Sequence, residues 1–328
     1  MTIQWFPGHM HATKKAIVER LKNGVDVVIE LLDARLPGSS ANPLLADLTQ
    51  GKPALKVLNK QDLADPERTA LWLAHYNAMP ETQAIGLDAS ITAPAQRLTD
   101  ASRSLAPLRG GMAKPMRVLI CGIPNVGKST LINTLVGKKA AKTGDEPGIT
   151  KVEQRIVLAS DFTLFDTPGM LWPRIAVPES GYHLAASGAV GRNALDEELV
   201  ALELLHRLRT EYPGRIEERF QLKGDLADEP DELWLEAIGR RRGAVISGGR
   251  VNLQKAAEVL IHEFRSGGLG RITLETPEQV LRWRADAVDR DAAREAERQR
   301  RKAARKGSRQ AADANDGADD DADDSGEG

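Results

Sequence analysis

Two patterns of apolar residues alternate along the first half of the chain. Short apolar runs favour buried strands, and they lie at residues 25–32, 54–58, 82–87, 116–121, 152–158 and 162–166. Stretches with apolar positions at helical spacing separate most of these runs, and they lie at residues 11–23, 66–78, 92–105 and 128–137. Such alternation is typical of βαβ crossovers. The pattern therefore predicts an α/β fold with a mostly parallel sheet and helices on both faces.

In the second half of the chain the pattern becomes helical. The predicted helices are residues 193–209, 231–240 and 251–265, and no convincing strand intervenes. In the last of them, Leu260 and Phe264 belong to an apolar face at helical spacing, which is typical of a core helix. We therefore divide residues 1–285 into an α/β domain at residues 1–178 and a small all-α domain at residues 179–285.

The end of the chain is rich in charge. Thr276, Pro277 and Gln279 form a helix start signal, in which Thr caps the first turn and Gln closes a capping box. Further on, the Asp-, Gly- and Ala-rich sequence cannot bury enough apolar surface to offset chain entropy. Residues 286–328 are therefore predicted to be a charged helix followed by a disordered acidic tail.

Charge is distributed unevenly. The chain has 45 basic and 47 acidic residues, for a formal charge of −2. Eight of the acids lie in the last eighteen residues, so the remainder has 45 basic and 39 acidic residues and a charge of +6. A mildly basic body with an acidic tail is compatible with a nucleic-acid partner but does not establish one.

Composition also bears on location. No apolar run approaches the roughly 18 residues of a membrane-spanning helix, and the first residues lack the pattern of a signal peptide. The single cysteine, Cys121, offers neither an internal disulfide nor a multi-cysteine metal site. We expect a cytoplasmic, monomeric protein with no membrane contact.

The strongest local motif is the G-I-P-N-V-G-K-S sequence at residues 122–129, hereafter the P-loop, which lies between a predicted strand and a predicted helix. Its glycines let backbone N–H groups turn toward phosphates. Lys128 is expected to reach the β and γ phosphates, and the Ser129 hydroxyl to bind Mg²⁺. The alternative is an ordinary glycine-rich turn, but the strand–loop–helix context favours a phosphate site.

Two tetrapeptides follow the P-loop in the order that a P-loop NTPase requires. The D-T-P-G sequence ends a predicted strand, where Asp166 would join the Mg²⁺ shell and the amide of Gly169 would approach the γ phosphate. Before it, the P-G-I-T sequence lies in a polar loop, where Thr150 would offer Mg²⁺ a second hydroxyl. Each sequence alone is a turn. Together they predict two switch segments that order around a nucleoside triphosphate.

The N-K-Q-D sequence at residues 59–62, hereafter the NKxD loop, indicates the base. The Asp62 carboxylate can accept both N–H groups on the Watson–Crick edge of guanine, a pair that adenine lacks. The D-A-S sequence at residues 88–90 would bring the Ala89 amide to guanine O6. The sequence therefore predicts GTP and GDP as ligands. The predicted nucleotide-binding residues are Asn59, Lys60, Asp62, Ala89, Ser90, Asn125, Val126, Gly127, Lys128, Ser129, Thr130 and Gly169.

The order of these motifs is permuted. Ordinary GTPases place the P-loop before the base-binding loop, whereas here residues 59–62 and 88–90 precede residues 122–129. Circular permutation leaves a sheet intact when the natural termini lie close together. The second switch at residues 166–169 then continues directly into the C-terminal helices, so the nucleotide state would be transmitted to them covalently.

Further segments match a known family. They are W-F-P-G-H-M at residues 5–10, D-A-R-L-P at 33–37, and glycine- and arginine-containing segments at 239–243, 247–249 and 264–271. With the permuted motifs, they make the chain resemble the YlqF/RbgA family of ribosome biogenesis GTPases. The resemblance implies a helical RNA-binding domain and a GTP hydrolase acting in late maturation of the large (50S) ribosomal subunit. Such a factor binds rRNA in its GTP state and is released after hydrolysis.

The group that orients the attacking water differs from that of Ras-like sites. Those sites use a glutamine after D-x-x-G, whereas Met170 stands here. We hypothesise that His9 polarises the water, because imidazole suits this role near neutral pH. The alternative is a structural histidine that fixes the N-terminal segment. The predicted catalytic residues are therefore His9, Lys128 and Thr150.

Two cations are considered. The predicted Mg²⁺ ligands are Ser129, Thr150 and Asp166. The resemblance extends to GTPases in which a P-loop asparagine helps to hold K⁺ beside the phosphates, so Asn125 is a candidate K⁺ ligand. The alternative is an asparagine that stabilises the loop.

Basic residues are concentrated at residues 239–271, where seven basic and two acidic residues give a charge of +5. Residues 185–285 together hold 15 basic and 17 acidic residues, so a local patch would have to contact RNA. The alternative is a solvated helix face. The predicted RNA contacts are Arg240, Arg241, Arg242, Arg250, Lys255, Arg265 and Arg271.

Rival functions stay open. The chain is either an assembly GTPase, a nucleotide-switched binding module in which hydrolysis is incidental, or a GTPase that serves another RNA or protein. Asp33 and Arg35 are also undecided, since they would either support the nucleotide loops or meet the ribosome.

Overall fold

The computed structural model describes residues 8–88, 94–111, 113–136, 154–191, 196–222, 224 and 226–316. The predictions at Ala89, Ser90 and Thr150, and the acidic end beyond residue 316, lie outside these residues. The chain separates into two compact units, Met1–Val280 and Leu281–Gly328.

A sheet of six strands lies at the centre of the first unit as far as it is described. The strands are β1 (Val27–Asp33), β2 (Ala54–Asn59), β3 (Thr82–Gly86), β4 (Met116–Gly122), β5 (Gln154–Ala159) and β6 (Phe162–Asp166). Their order is β3-β2-β1-β4-β6-β5, and each neighbouring pair is parallel except β5 and β6. The predicted mostly parallel sheet is confirmed.

Strand β1 shows why the apolar runs form strands here. All seven of its residues are buried, so both faces of the sheet are covered, and such a strand favours a continuous apolar run over an alternating one. Glu30 lies in mid-strand and is kept there by partners, because it pairs with Lys56 of β2 and accepts the backbone N–H of Asn42 at 2.9 Å. A paired and hydrogen-bonded carboxylate is tolerated in such a core.

Helices cover the sheet and continue beyond it. Those of the first unit are α1 (Gly8–Lys22), α2 (Pro37–Ser40), α3 (Pro43–Leu48), α4 (Pro66–Asn77), α5 (Pro94–Leu105), α6 (Lys128–Val136), α7 (Pro178–Ser187), α8 (Glu197–Glu211), α9 (Arg215–Phe220), α10 (Asp231–Arg241) and α11 (Leu253–Ser266). The sequence did not predict α2, α3, α7 or α9. Three of them are too short to show a period, and α7 is buried over most of its length, so it lacks an amphipathic pattern.

Two clusters of buried apolar side chains form in this unit. One surrounds the sheet, and the other lies among α7, α8, α10 and α11. Helix α7 contributes to both, since Leu184 packs in the first cluster while Ala185 and Ala186 pack in the second. The two clusters are thus adjoining parts of one compact unit, and the predicted boundary between residues 178 and 179 stays a prediction.

Helix α12 (Pro277–Asp316) begins at the predicted signal. The backbone N–H of Thr276 donates to Gln279 Oε1 at 2.8 Å, and that of Gln279 donates to Thr276 Oγ1 at 3.3 Å, so the capping box is confirmed. Among the described helices, none combines the length and apolar character needed to cross a bilayer.

Candidate nucleotide-binding site

The predicted motifs meet at one edge of the sheet. The NKxD loop follows β2, the P-loop follows β4, and the D-T-P-G turn follows β6. Because these strands are parallel, their carboxyl ends share an edge, and β1 lies between β2 and β4. Asp33 of β1 is in register with Asn59, and Ile120 of β4 with Asp166. Ligands of open α/β sheets bind in the crevice outside this edge.

The backbone of the P-loop has the conformation that its glycines permit. Gly127 has φ +94° and Asn125 has φ +60°, both in the left-handed region. A Cβ atom at Gly127 would lie 2.3 Å from Asn59 Nδ2, and one at Gly122 would lie 2.7 Å from the carbonyl oxygen of Leu31. Larger residues would therefore separate the loop from its neighbours. Helix α6 begins within the motif, at Lys128, and a helix N-terminus favours an anion.

The P-loop lysine faces a buried carboxylate. Lys128 Nζ lies 3.4 Å from Asp166 Oδ1, and the two side chains are 6% and 0% exposed. Ser129 is the next residue of α6. A carboxylate and a hydroxyl beside a phosphate cradle suit Mg²⁺, which usually takes one or two protein ligands, substrate phosphates and water. No cluster of three or more His, Cys, Asp or Glu side chains occurs in the described parts of the chain, so a complete protein cage for a metal is not formed there.

The D-T-P-G turn lies against the P-loop. The backbone N–H of Met170 donates to the carbonyl oxygen of Gly122 at 3.1 Å. A Cβ atom at Gly169 would lie 2.9 Å from Pro124 Cα, so this position needs glycine. The Met170 side chain is buried in the sheet cluster, and its carbonyl oxygen accepts from Asn42 Nδ2 at 2.7 Å. Met170 therefore offers no polar side chain for orienting a water.

The NKxD loop is bonded directly to the P-loop. Asn59 Nδ2 donates to the carbonyl oxygen of Val126 at 2.7 Å, and Lys60 Nζ donates to that of Asn125 at 2.8 Å. Asp62, two residues on, is exposed at the end of the loop. The permuted motifs thus form one continuous structure, although more than sixty positions separate these partners in the sequence.

Lys60 also contacts Asp33, at 2.9 Å, and Asp33 forms a two-point ion pair with Arg35. Burial by itself would raise the pKa of Asp33, but the charges of Arg35 and Lys60 outweigh it and hold this pKa well below its usual range. Burial lowers the pKa of Lys60, and the Asp33 carboxylate opposes that effect. Sequence analysis left Asp33 and Arg35 undecided between the nucleotide loops and the ribosome. Both residues are buried beneath the nucleotide loops.

The structure describes the side chain of Asn125 but not that of His9. The Asn125 side-chain amide donates to the carbonyl oxygen of Gly188, at the C-terminal end of α7, at 2.8 Å. His9 lies in the first turn of α1, and its side chain is outside the described part of the structure. The hypotheses that Asn125 binds K⁺ and that His9 polarises water stay predictions.

The predicted RNA contacts divide into two groups. Arg265 donates to the carbonyl oxygens of Ala186 and Ala185 at 2.7 and 2.8 Å, so it closes the end of α7. Arg271 donates to those of Ala64 and Gln61 at 2.8 and 2.9 Å, so it lies across the NKxD loop. The other five lie in or between α10 and α11 and are exposed, as Arg271 also is; they are Arg240, Arg241, Arg242, Arg250 and Lys255.

Some of these five also have partners within the protein. Arg241 Nε donates to the carbonyl oxygen of Phe220 at 3.2 Å, and Arg242 pairs with Glu263 at 3.1 Å. Arg240 and Arg250 lie at a short hairpin between α10 and α11, where Ile246 N donates to the carbonyl oxygen of Arg250 at 2.8 Å. The basic segment is thus partly a structural element and partly a solvent-facing surface.

Sequence analysis missed Asn42 as a supporting residue of the site. Its side-chain oxygen caps α3 by accepting the backbone N–H of Leu44 at 2.9 Å, while its amide donates to Met170. The local signal was present, since an asparagine before a proline is a typical helix start. Its contact with Met170, directly after the D-T-P-G turn, is long-range, and no local sequence pattern predicts it.

Comparisons with known proteins agree with this geometry. A family model described as "50S ribosome-binding GTPase" matches residues 117–212. The ribosome biogenesis GTPase A of Bacillus cereus is 41% identical over 286 residues, covering 85% of this chain and 95% of that protein. That of Bacillus pumilus is 41% identical over 285 residues, covering 85% and 100%. The mitochondrial ribosome-associated GTPase 1 of Mus musculus is 34% identical over 295 residues, covering 83% and 90%.

Solved structures show the same fold. The structure of GNP-bound YlqF from T. maritima superposes with a TM-score of 0.55 at 24% identity and covers 81% of this chain and 98% of that chain. A GDP-bound YlqF structure gives a TM-score of 0.58 at 23% identity and covers 80% and 99%. The permuted order of the bonded loops, the matching fold and the extent of the sequence identity lead to one conclusion: the chain belongs to the ribosome biogenesis GTPase A family.

Proposed function

We propose that this GTPase is an assembly factor that acts late in maturation of the large (50S) ribosomal subunit. It binds rRNA of the particle in its GTP state and leaves after hydrolysis. The observation that carries the nucleotide part is the bonding of the NKxD loop to the P-loop through Asn59 and Lys60. The name of its relatives, ribosome biogenesis GTPase A, and the description of the matching family, 50S ribosome-binding GTPase, support the choice of particle. This assignment implies a cytoplasmic protein, and we expect it to be a monomer.

Each residue of the site has a distinct task in this proposal. Asp62 accepts the N–H groups of guanine, and the exposed end of its loop leaves the carboxylate accessible to a base. Lys128 balances the charge that develops on the phosphates. Mg²⁺, held by Asp166, Ser129 and Thr150, would add positive charge at the phosphate oxygens. Gly169 would place its amide near the γ phosphate, because only glycine fits beside Pro124.

Hydrolysis in isolation is expected to be slow. Met170 is buried where Ras-like GTPases place a glutamine, so water must be oriented by another group. We assign that role to His9 in the first turn of α1. A His9→Ala variant should bind GTP normally and lose stimulation by the ribosome. Full stimulated turnover would contradict the assignment.

Asn125 is proposed as a ligand of K⁺. Since its amide nitrogen donates to Gly188, its side-chain oxygen is the atom that would contact the cation. Turnover should therefore be faster in K⁺ than in Na⁺ buffer, and Asn125→Asp should change this ratio. Equal turnover in the two buffers would support the loop-stabilising role instead.

The RNA contact is proposed to lie at the hairpin between α10 and α11. Val245 and Ile246 are 46% and 45% exposed on its first arm, and Arg240 and Arg250 flank it. Arg265 and Arg271 are not part of this surface, because Arg265 closes the end of α7 and Arg271 lies across the NKxD loop. The hairpin therefore offers cations for phosphate groups and, beside them, an apolar area for contact with bases and sugars.

Salt dependence tests this surface. The double variant Arg240→Ala/Arg250→Ala should weaken rRNA binding and reduce the slope of log affinity against log salt by about 1.4 to 1.8. Arg97→Ala/Arg155→Ala removes two exposed arginines of the sheet part and serves as the matched control. If both double variants bind with the wild-type slope, the hairpin is not the RNA contact.

Sedimentation tests the function as a whole. With a non-hydrolysable GTP analogue, the protein should co-sediment with large-subunit particles in a sucrose gradient, and with GDP it should stay near the top. Stimulation of turnover by those particles distinguishes an assembly GTPase from a binding module in which hydrolysis is incidental. Co-sedimentation with another RNA or none would contradict the assignment to the large subunit.

A further inference from the structure

Asp33 and Arg35 form a buried pair at the end of β1. Arg35 donates from Nε to Asp33 Oδ1 at 2.9 Å and from Nη2 to Asp33 Oδ2 at 2.8 Å. Both side chains are 2% exposed, so this pair is not positioned to meet another macromolecule. A two-point pair of this kind fixes the orientation of the carboxylate.

The Asp33 carboxylate holds the ammonium of Lys60. Asp33 Oδ2 lies 2.9 Å from Lys60 Nζ, which also donates to the carbonyl oxygen of Asn125 in the P-loop at 2.8 Å. Lys60 has φ +63°, a conformation that non-glycine residues seldom adopt. The contacts of its side chain therefore help to determine the shape of the NKxD loop.

Arg35 has a second set of contacts, at the C-terminal end of α11. Its Nη1 donates to the carbonyl oxygens of Phe264 and Arg265 at 3.3 and 3.4 Å. Its guanidinium lies over the Phe264 ring, with 4.8 Å between Cζ and the ring centroid. A cation at a helix C-terminus is stabilised by the helix dipole. Arg35 thus anchors α11 to the strand that carries Asp33.

The same end of α11 reaches the P-loop by a second route. Arg265 donates to the carbonyl oxygens of Ala185 and Ala186 at the end of α7. The carbonyl oxygen of Gly188, two residues further on, accepts from the side-chain amide of Asn125. The contacts therefore close a ring that runs from the P-loop through Lys60, Asp33 and Arg35 to α11, and back through α7 to the P-loop.

The end of α11 also packs on Leu63, the residue that directly follows the NKxD loop. A Cβ atom at Gly267 would lie 2.7 Å from Leu63 Cδ2, so α11 ends in close contact with the end of this loop. The backbone N–H of Ile272 donates to the carbonyl oxygen of Leu63 at 2.9 Å, and that of Leu274 donates to Arg35 at 2.7 Å. A displacement of α11 would consequently disturb Arg35 and the NKxD loop together.

We propose that Asp33 and Arg35 are positioning residues for the guanine nucleotide. Asp33 fixes the position of the Lys60 side chain between the NKxD loop and the P-loop. Arg35 connects Asp33 to the C-terminal end of α11. Nucleotide affinity and the packing of α11 are then coupled, and coupling acts equally in both directions. The inference rests on the proposed GTP-binding function and on the prediction that Lys60 helps to bind the guanine nucleotide.

The test combines nucleotide titration with unfolding measurements. Asp33→Asn leaves Lys60 without its carboxylate partner, and the dissociation constant for fluorescently labelled GDP should rise by about 5- to 150-fold, the usual range of coupling between sites. Arg35→Lys keeps the charge but loses the planar fork, so it should give a smaller rise. Asp161→Asn, which breaks the pair between Asp161 and Arg103 (3.1 Å) far from the loops, is the control and should bind GDP normally.

A purely structural role has a different signature. It would lower the unfolding midpoint of Asp33→Asn while leaving the dissociation constant unchanged, and that result would overturn the inference. Lys60→Ala distinguishes the role of Lys60 in binding the nucleotide from the role of Asp33 in positioning Lys60. If Lys60→Ala weakens GDP binding and Asp33→Asn does not, the positioning role is wrong. If Lys60→Ala binds GDP normally, the nucleotide role of Lys60 is wrong as well.

Hydrogen exchange tests the coupling without any variant, in case Asp33→Asn does not fold. The amides of Gly267 and Gly268 donate to the carbonyl oxygens of Phe264 and Glu263 at the end of α11. Addition of GDP to the full-length protein should slow exchange at these two amides. Unchanged exchange there, at a GDP concentration that saturates the site, would overturn the proposed coupling.

Discussion

At the residue scale, the glycine positions of the P-loop show how a motif depends on its surroundings. Gly127 needs glycine for two reasons, since its φ is +94° and a Cβ atom would lie 2.3 Å from Asn59 Nδ2. The first reason is local and belongs to the motif. The second arises from the NKxD loop, whose asparagine occupies the space that a side chain would need.

We expect Gly127→Ala to weaken GTP binding by about 10- to 100-fold, because displacement of the P-loop by even about 1 Å is costly at such a site. Gly51→Ala is the matched control, since Gly51 also has a positive φ (+75°) but would place its Cβ atom in open space. The control should lose about 1 to 2 kcal/mol of stability and bind GTP normally. Equal affinities for the two variants would show that the contact with Asn59 is unimportant. Isothermal titration and urea unfolding provide the measurements.

Asp62 is expected to determine the base. Inosine triphosphate lacks the exocyclic amino group of guanine, so the wild-type protein should bind it less tightly than GTP. In Asp62→Ala, GTP binding should weaken by about 10- to 100-fold, the value of a hydrogen bond to a charged group, and the preference over inosine triphosphate should disappear. Asp47→Ala changes another exposed aspartate and should keep both affinities. A retained preference in Asp62→Ala would exclude Asp62 as the guanine ligand.

At the element scale, Glu275 joins segments that are distant in sequence. Its carboxylate accepts the backbone N–H of Ser39 in α2 at 2.7 Å, pairs with the Ser39 hydroxyl, and contacts His183 Nδ1 in α7 at 2.7 Å. Its carbonyl oxygen accepts from Trp72 Nε1 in α4 at 3.0 Å. Glu275, a fully buried residue after α11, therefore connects the three helices α2, α4 and α7.

Glu275→Gln should lower the free energy of unfolding by about 2 kcal/mol, because the hydrogen bonds to Ser39 and His183 would lose their charged acceptor. Glu258→Gln is the control: this half-buried residue pairs with the exposed Lys255 at 3.0 Å, and pairs at the surface contribute less than about 1 kcal/mol. Urea unfolding of the two variants measures the difference. Similar unfolding midpoints for both would show that the buried carboxylate contributes no more than a surface one.

At the scale of the whole molecule, the sheet and the helical region meet through ion pairs as well as apolar contacts. Glu211 of α8 pairs with Arg68 of α4 and with Arg207, the latter at 2.9 Å. Burial would raise the pKa of Glu211, but hydrogen bonds and charge from the two arginines outweigh it and lower this pKa below its usual value of 4.5. The carboxylate therefore contributes to the junction in its charged form.

The lowered pKa of Glu211 predicts how the stability of the protein depends on pH. A carboxyl group with a lowered folded-state pKa adds stability that is fully present above its unfolded-state pKa and is lost as pH falls through the folded-state value. The free energy of unfolding should thus decrease as the pH falls below about 4.5. Glu211→Gln should be less stable at pH 7 and should show a flatter profile between pH 5 and pH 3. Parallel wild-type and variant profiles would contradict this role of Glu211.

How much could be predicted differs between motifs and contacts. The P-loop, the NKxD loop and the D-T-P-G turn were recognisable because each is a short pattern whose backbone demands particular residues. The parallel sheet was predicted from the alternation of apolar runs with helical stretches, which is typical of βαβ crossovers. Helices α2, α3, α7 and α9 were missed because helices that are short, or buried over most of their length, leave no clear period.

By itself, the sequence determined which loops carry the chemistry and in what permuted order they occur, because glycine, lysine and aspartate at fixed spacing act through local backbone geometry. The tertiary structure decided which charged residues serve those loops. Arg35 meets the carbonyl oxygen of Phe264 across 229 positions, and Arg265 and Arg271 bind backbone carbonyls of segments far from their own. Such partners are brought together by the packing of α11 against the elements around the sheet. In the sequence alone, an arginine that binds a backbone carbonyl group looks the same as an arginine that faces solvent.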